Sequence, residues 1–449
     1  MGSPRSGCYS AIMETRAIHA LNRFGFGRAA GQPLPADPAG WLTLQLTGRD
    51  NAPTALQPDP TSAAAALALF EQDRIDPPPP GQPRRAAALF RAETGALLLN
   101  ALTTEAGFRE RLVWFWANHF TISTRRGMVA PLAGSFVRDA IRPHVTGRFG
   151  DMLLAVMRHP AMLVYLDNAG SAGPNSPAGL RRNRGLNENL ARECLELHTV
   201  TPAAGYTQAD VTEFARILTG WSTEAREVPL GYRFRANMHE PGEKRVLGRS
   251  FAEGEQGGVE ALTWLGDHPM THRALAQKLT RHFIADTPAP NAVRAIEGAL
   301  RDTRGNLAAA ARALVALPAA WTPLQKVRSP MDLTFAAFRA GLPPATLPAA
   351  TDGPLPGVLN NLGQPLFNAI QPSGWPDAAA DWAGPEAMMR RIDWAYAFAN
   401  RPELPDPLAL AETALGPLLP ERTLTDMRQA GSRREAITLL LASPEFQRR

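Results

Sequence analysis

Apolar residues recur every three or four positions along most of the 449-residue chain. That spacing is the mark of helices that bury one face. METRAIHALNRFG carries it and stops at Gly25. PAGWLTLQLTG predicts a short helix, with Pro38 near its start and Gly48 beyond its end. SAAAALALFEQDRI predicts another, broken by DPPPPGQP (Asp76 to Pro83). A proline run cannot be helical and reads as an exposed extended loop. TEAGFRERLVWFWANHF follows as a strong helix, with Thr104 as its expected N-cap and Phe108, Leu112, Phe115 and His119 on one stripe.

Further on, GSAGPNSPAGLRRNRG (Gly170 to Gly185) reads as a long loop, of the kind that is often functional or disordered. One stretch breaks the helical pattern with a β signal. In GYRFRANMHEPGEKRVLGRSF, Tyr232 and Phe234 precede a Pro-Gly turn, and Val246 and Leu247 follow it. This predicts one small hairpin around residues 232–248. Helical spacing returns in THRALAQKLTRHFIA, NAVRAIEGAL, NLAAAARALVAL and SPMDLTFAAFRAG. A Pro/Gly-rich segment from Pro343 to Trp375 interrupts it, with a short helix expected near Val358, and helices close the chain. No repeat of 20–50 residues is present, which argues against a solenoid. The expectation is a mostly α, multi-helix globular array. It divides into an N-terminal helical segment (1–84), a main helical domain (85–342) and a C-terminal helical segment packed on it (343–449).

Composition changes this picture little. The chain is 45% hydrophobic and 20% charged, as an ordinary globular protein is. Its net charge of +5 is almost all arginine, because lysine occurs only at Lys244, Lys278 and Lys326. The arginines are scattered, with no dense basic block, so a nucleic-acid partner is not expected. The two cysteines, Cys8 and Cys194, form no CxxC and support neither a disulfide framework nor a zinc ribbon. No apolar run approaches the length of a membrane span. The N-terminus lacks a continuous apolar h-region, which makes cytoplasm the default expectation and leaves a periplasmic or secreted location open.

The chemistry concentrates in NENLARECLELHTV, Asn187 to Val200. Projected as an α-helix at roughly 100° per residue, Asn189, Arg192, Glu193 and Glu196 share one face, and His198 leans to the buried side. Neighbouring carboxylates repel, and one is held protonated if the face is buried, which suits general acid/base work. In water the same face is merely solvated. The next segment, GYTQADVTEFARILTGW, opens on a capping box of Thr207 and Asp210 and repeats a carboxylate–arginine face at Asp210, Glu213 and Arg216. Two such helices facing each other would form an ionic network of Arg192 and Arg216 with Glu193, Glu196 and Glu213. That network is structural on one reading and catalytic on the other.

These two segments resemble the signature of the bacterial family called domain of unknown function 1800, N-E-N-x-A-R-E-x-x-E-L-H-T followed by G-Y-x-x-x-D-V-x-x-x-A-R-x-L-T-G-W. LNRFGFG, VWFWANHF, HPAMLVYLDNAGSAGPNS, HEPGEKRVLG, KLTRHFIAD and LGQPLFNAIQPSGWPD agree with it in order, so the resemblance spans nearly the whole chain. Val200, Thr201 and Pro202 stand where many relatives have Leu-Gly, and Cys194 stands where an aliphatic residue is common. No charged motif position is affected. The resemblance implies a helical fold. It also implies a companion protein of the alkaline-phosphatase-like kind. It supplies a family, not a reaction.

The leading expectation is an acid/base hydrolase or lyase-like enzyme acting on a polar substrate, such as a glycan. Glu193 and Glu196 would be its acid/base pair, with Arg192 orienting the substrate and His198 behind them. Asn118, His119, Asp167, Asn168, Asn175, Asn187, Asn189, Arg216, Trp221 and His239 are candidate substrate-binding residues. Asn, Asp and Arg supply directed hydrogen bonds, and Trp221, Trp116 and Trp375 supply stacking surfaces. His239, Glu240 and Lys244 are either a lid over the site or an exposed turn. No nucleotide-binding loop or GxSxG elbow is present. A cofactor is not expected. A non-enzymatic binding or assembly protein is the alternative, and a metal protein using His119, His198 and His239 is the second alternative.

Overall fold

The computed structural model describes residues 4–47, 61–182 and 185–449, without the side chains of residues 4–10, 182 and 352. Gly48, the expected end of the helix at Pro38–Leu44, and part of the loop before Gly185 lie outside the described residues. The fold is mostly α, with two small antiparallel hairpins. Among the described residues no helix is long and apolar enough to cross a membrane.

Local signals place many of the helices. Asp37 caps Pro38–Leu44 through Gly40 N, and Thr207 with Asp210 forms the expected capping box on Gln208–Leu218. The short helix near Val358 is Pro354–Asn361. Thr104 has a different role from the one expected. The helix after it begins at Gly107, while Thr104 ends Arg85–Thr103 and its hydroxyl accepts from Ala106 N. The loop after Gly170 contains a short helix of its own, Pro177–Arg182.

The β signal resolves into two pairings. Trp221–Glu224 pairs with Gly231–Phe234, and Lys244–Val246 with Arg249–Phe251. Tyr232 and Phe234 therefore do not face Val246 across the Pro-Gly turn. The second hairpin closes through Leu247 and Gly248, both at positive φ, the geometry that a two-residue turn requires. Leu247 N donates to Asp210 Oδ1 at 2.7 Å, which ties that hairpin to the Gln208–Leu218 helix. His239, Glu240 and Lys244 are all buried, so they form neither a lid nor an exposed turn.

Two hydrophobic clusters hold the chain. The first runs from Ala20 to Ala320. The second joins Phe26, Leu98, Leu102 and Trp114 to residues from Leu333 to Phe446. Helix Gly107–His119 lies at their seam and sends Phe108, Leu112 and Trp116 to the first and Trp114 to the second. A helix in contact on all sides must bury its polar residues with partners. Glu110 accordingly takes both Nη atoms of Arg142, at 2.7 and 2.9 Å, and Trp114 Nε1 at 3.0 Å.

Candidate functional site

A cavity of about 740 Å³ opens along this seam, within the size range of small-molecule sites. Its walls come from the end of Gly107–His119, helix Pro269–Phe283, the start of Pro330–Gly341, and the segment from Gln364 to Asp381. Trp114, Phe115, Phe367 and Trp375 supply apolar surface.

Part of the lining is cationic. Lys278 and Arg281 lie three residues apart on one helix, and both line the cavity. Lys278 Nζ donates to Leu197 O at 2.8 Å and meets His119 Nδ1 at 3.1 Å. His119 Nε2 in turn faces His198 O at 3.2 Å. A carbonyl only accepts, so Nε2 carries the ring proton and Nδ1 is the acceptor for Lys278. Burial, with Arg281 nearby, lowers the Lys278 ammonium to about 8. Burial, then Lys278 and His198, holds His119 far below the ordinary histidine range. At neutral pH His119 is therefore an uncharged acceptor.

The carbonyls that hold this pair come from the motif stretch. Asn189–Glu193 is α-helical, but Cys194–His198 is a π turn, so the single α-helix expected there does not continue. A π turn adds a residue per turn and shifts the side chains after it away from the 3.6-residue projection. Thr199 Oγ1 donates to Cys194 O at 2.6 Å and closes the turn. Leu197 O and His198 O are left to accept from Lys278 and His119. Of the motif residues Leu197 lines the cavity, and its carbonyl and that of His198 hold the Lys278–His119 pair.

Three of the acids that line the cavity are compensated. Arg111 Nη1 contacts Asp332 Oδ1 at 2.9 Å, and Arg449 Nε contacts Oδ2 at 3.0 Å, with all three side chains buried. Burial alone would raise the Asp332 carboxyl, but the two guanidiniums bring it down to about 2. His282 Nδ1 lies 3.1 Å from Asp377 Oδ2, and Lys326 reaches both Asp286 and Asp377. Burial lowers His282 to about 4, against the pull of Asp377.

Asn118 fixes Trp375 in the cavity wall. Its Nδ2 donates to Trp375 O at 2.9 Å, and its Oδ1 accepts from Trp375 N at 2.8 Å. Gly374 permits this approach. It sits at φ +80°, and a Cβ there would stand 2.4 Å from Asn118 O. Gly374→Ala is expected to lower stability by about 2 kcal/mol or more. Urea unfolding of the variant measures it.

Of the sequence candidates, Asn118 and His119 line the cavity, and His198 packs behind His119 with ring centroids 5.7 Å apart. Neither His198 nitrogen has a hydrogen-bond partner among the described residues. Glu193 is half-buried and Glu196 exposed, away from the cavity walls. Of the expected ionic network the structure shows one pair, Arg216 with Glu213, within a single helix and not across the two. Arg192 pairs with Glu188 at 2.9 Å, and Arg216 with Glu213 at 2.5 Å. Glu188 also accepts from Gln208 and Thr212, and it joins the two motif helices. Burial and the neighbouring Glu196 raise the Glu193 carboxyl, against Arg192.

The other candidates are tied to the protein itself. Asp167 pairs with Arg126 at 2.5 Å, and Asn168 Nδ2 donates to Leu218 O and Trp221 O. Asn175 donates twice to Glu240, and Asn187 Oδ1 accepts from Asn189 N at the start of its helix. His239 Nδ1 faces Thr219 O at 2.9 Å, and its Nε2 accepts from Gly254 N. Trp221 and Trp116 are fully buried, whereas Trp375 lines the cavity. Among the described residues His119 and His198 meet without a third metal-ligating side chain. Among the described residues no group of three or more His, Cys, Asp or Glu side chains is placed to hold a metal ion.

Lys278, Arg281, His282, Arg111, Asp332 and Asp377 are the cavity residues that sequence reasoning passed over. A signal existed in KLTRHFIAD, where Lys278, Arg281 and His282 share a helix face with no acid at helical spacing before Asp286.

A family model described as "Protein of unknown function (DUF1800)" matches residues 19–448, and the chain belongs to that family. No curated protein and no solved structure matches it.

Proposed function

We propose that the protein is an acid/base enzyme of the hydrolase or lyase type, acting on a small polar substrate held in the cavity, with Lys278 as the base. The observation that carries this is the surroundings of the Lys278 amine. A neutral amine has two N–H donors and one lone pair. Leu197 O and His119 Nδ1 engage two donors. The lone pair is then left for the cavity that Lys278 lines. Among the described residues no carboxylate lies within ion-pair distance of Lys278 to hold its proton. A base that loses its proton near neutral pH is matched to proton transfer. His119 acts as a positioning residue, because its own proton is committed to His198 O.

The test is a turnover screen against glycosides, uronate oligosaccharides, esters and amides. On any substrate the wild type turns over, Lys278→Met should lower the rate by about a hundredfold to ten-thousandfold, the usual contribution of a general base. Full turnover by a folded Lys278→Met variant ends the reading. A wild type inactive on the whole panel favours the non-enzymatic binding protein instead.

A second reading keeps Glu193 and Glu196 as the acid/base pair. It is favoured by the raised Glu193 carboxyl and by Tyr165 and Tyr206, whose hydroxyls burial raises first and the same carboxylates raise further. Under it, Glu193→Gln with Glu196→Gln abolishes turnover and Lys278→Met does not. The same screen separates the two.

A further inference from the structure

We infer that the cavity takes an anion with an apolar body, whose carboxylate is held by Arg281, one helical turn from Lys278. This rests on the cavity being the substrate site and adds the class of substrate.

Asp332 is shared by Arg111 and Arg449. Asp377 is matched by His282 and Lys326. Asp286 takes Lys326 and Ala379 N. These three acids are already satisfied inside the protein. Lys278 and Arg281 have no carboxylate partner among the described residues. The remaining lining acid, Asp381, is exposed, and among the described residues it has no ion-pair partner. Two like charges side by side on one helix face repel, and an anion on Arg281 relieves that repulsion.

The geometry narrows the anion. Guanidinium presents a planar fork that matches the two oxygens of a carboxylate, which leaves the Lys278 amine free beside it. Trp114, Phe115, Phe367 and Trp375 supply an apolar wall for the rest of the ligand. A cavity of about 740 Å³ accommodates a small molecule.

Benzoate, phenyl phosphate and benzyl alcohol test this by titration calorimetry on the full chain. Benzoate should bind, and benzyl alcohol should bind at least about tenfold more weakly, because it lacks the charge. Arg281 is exposed, so Arg281→Gln should fold normally, and it should weaken benzoate by about tenfold. Equal binding of benzyl alcohol, unchanged benzoate affinity in Arg281→Gln, or no benzoate binding at all overturns the inference. Tighter binding of phenyl phosphate than of benzoate overturns the choice of carboxylate. The result is separable from the proposed reaction. Benzoate can fail to bind while Lys278→Met still abolishes turnover, and then the clamp is wrong and the base stands. The reverse pattern leaves an anion site without lysine catalysis.

Discussion

Asp332→Asn is expected to destabilise the protein by about 3–5 kcal/mol, the cost of breaking a buried ion pair from one side. The substitution preserves shape but leaves Arg111 and Arg449 facing a neutral amide. Both guanidiniums are almost wholly buried and cannot recover their hydration. Adding Arg111→Met to Asp332→Asn should restore part of the loss, because one uncompensated charge goes with it. Thermal unfolding of the three proteins reads this directly, and equal stability of the wild type and Asp332→Asn would contradict it. The linkage to pH has a definite sign. The folded carboxyl titrates near 2 against an ordinary 3.8. Its contribution is fully present above pH 4 and disappears as pH falls toward 2, on the order of 2 kcal/mol. Asp332→Asn should lack that acid-dependent loss.

Lys278→Met carries the second large effect. The folded ammonium is lowered to about 8 from 10.5, by burial and then by Arg281. A lowered lysine means that the folded state holds fewer protons than the unfolded state between those values. Wild-type stability should therefore rise as pH rises from 8 toward 10.5, by on the order of 2–3 kcal/mol relative to Lys278→Met. Below pH 8 the protonated lysine is a net cost, which methionine removes. Against that, the variant leaves Leu197 O and His119 Nδ1 without their donor, a loss of about 1–3 kcal/mol. The two effects nearly cancel near neutrality, so the slope with pH is the informative quantity. Urea unfolding of both proteins at a series of pH values measures it, and parallel curves would contradict the lowered lysine.

The sequence carried the fold class because helical periodicity is a local signal. The capping box at Thr207 and Asp210 is local too, and it formed as expected. Asn118 and His119 were legible as polar residues ending an apolar helix, and both line the cavity. The rest was hidden for specific reasons. A π turn has no simple side-chain signature, so the angular projection of Glu196 and His198 failed past Glu193. Leu197 O and His198 O act as main-chain atoms, which any residue supplies. Asp332 and Arg449 are far apart in the chain, and nothing local to either announces the pairing. The hairpin misreading is of the same kind. Tyr232 and Val246 both read as strand, but which strand each pairs with depends on contacts outside the segment.

The most direct test is the titration of Lys278 itself. With lysine at only three positions, carbon-13 labelling of lysine gives three side-chain signals by NMR, and the one missing in Lys278→Met is assigned at once. That signal should titrate with a midpoint near 8, set by its buried place beside His119 and Arg281. A midpoint at the ordinary lysine value, above about 10, would mean that the amine is fully solvated and would remove the basis for chemistry in the cavity.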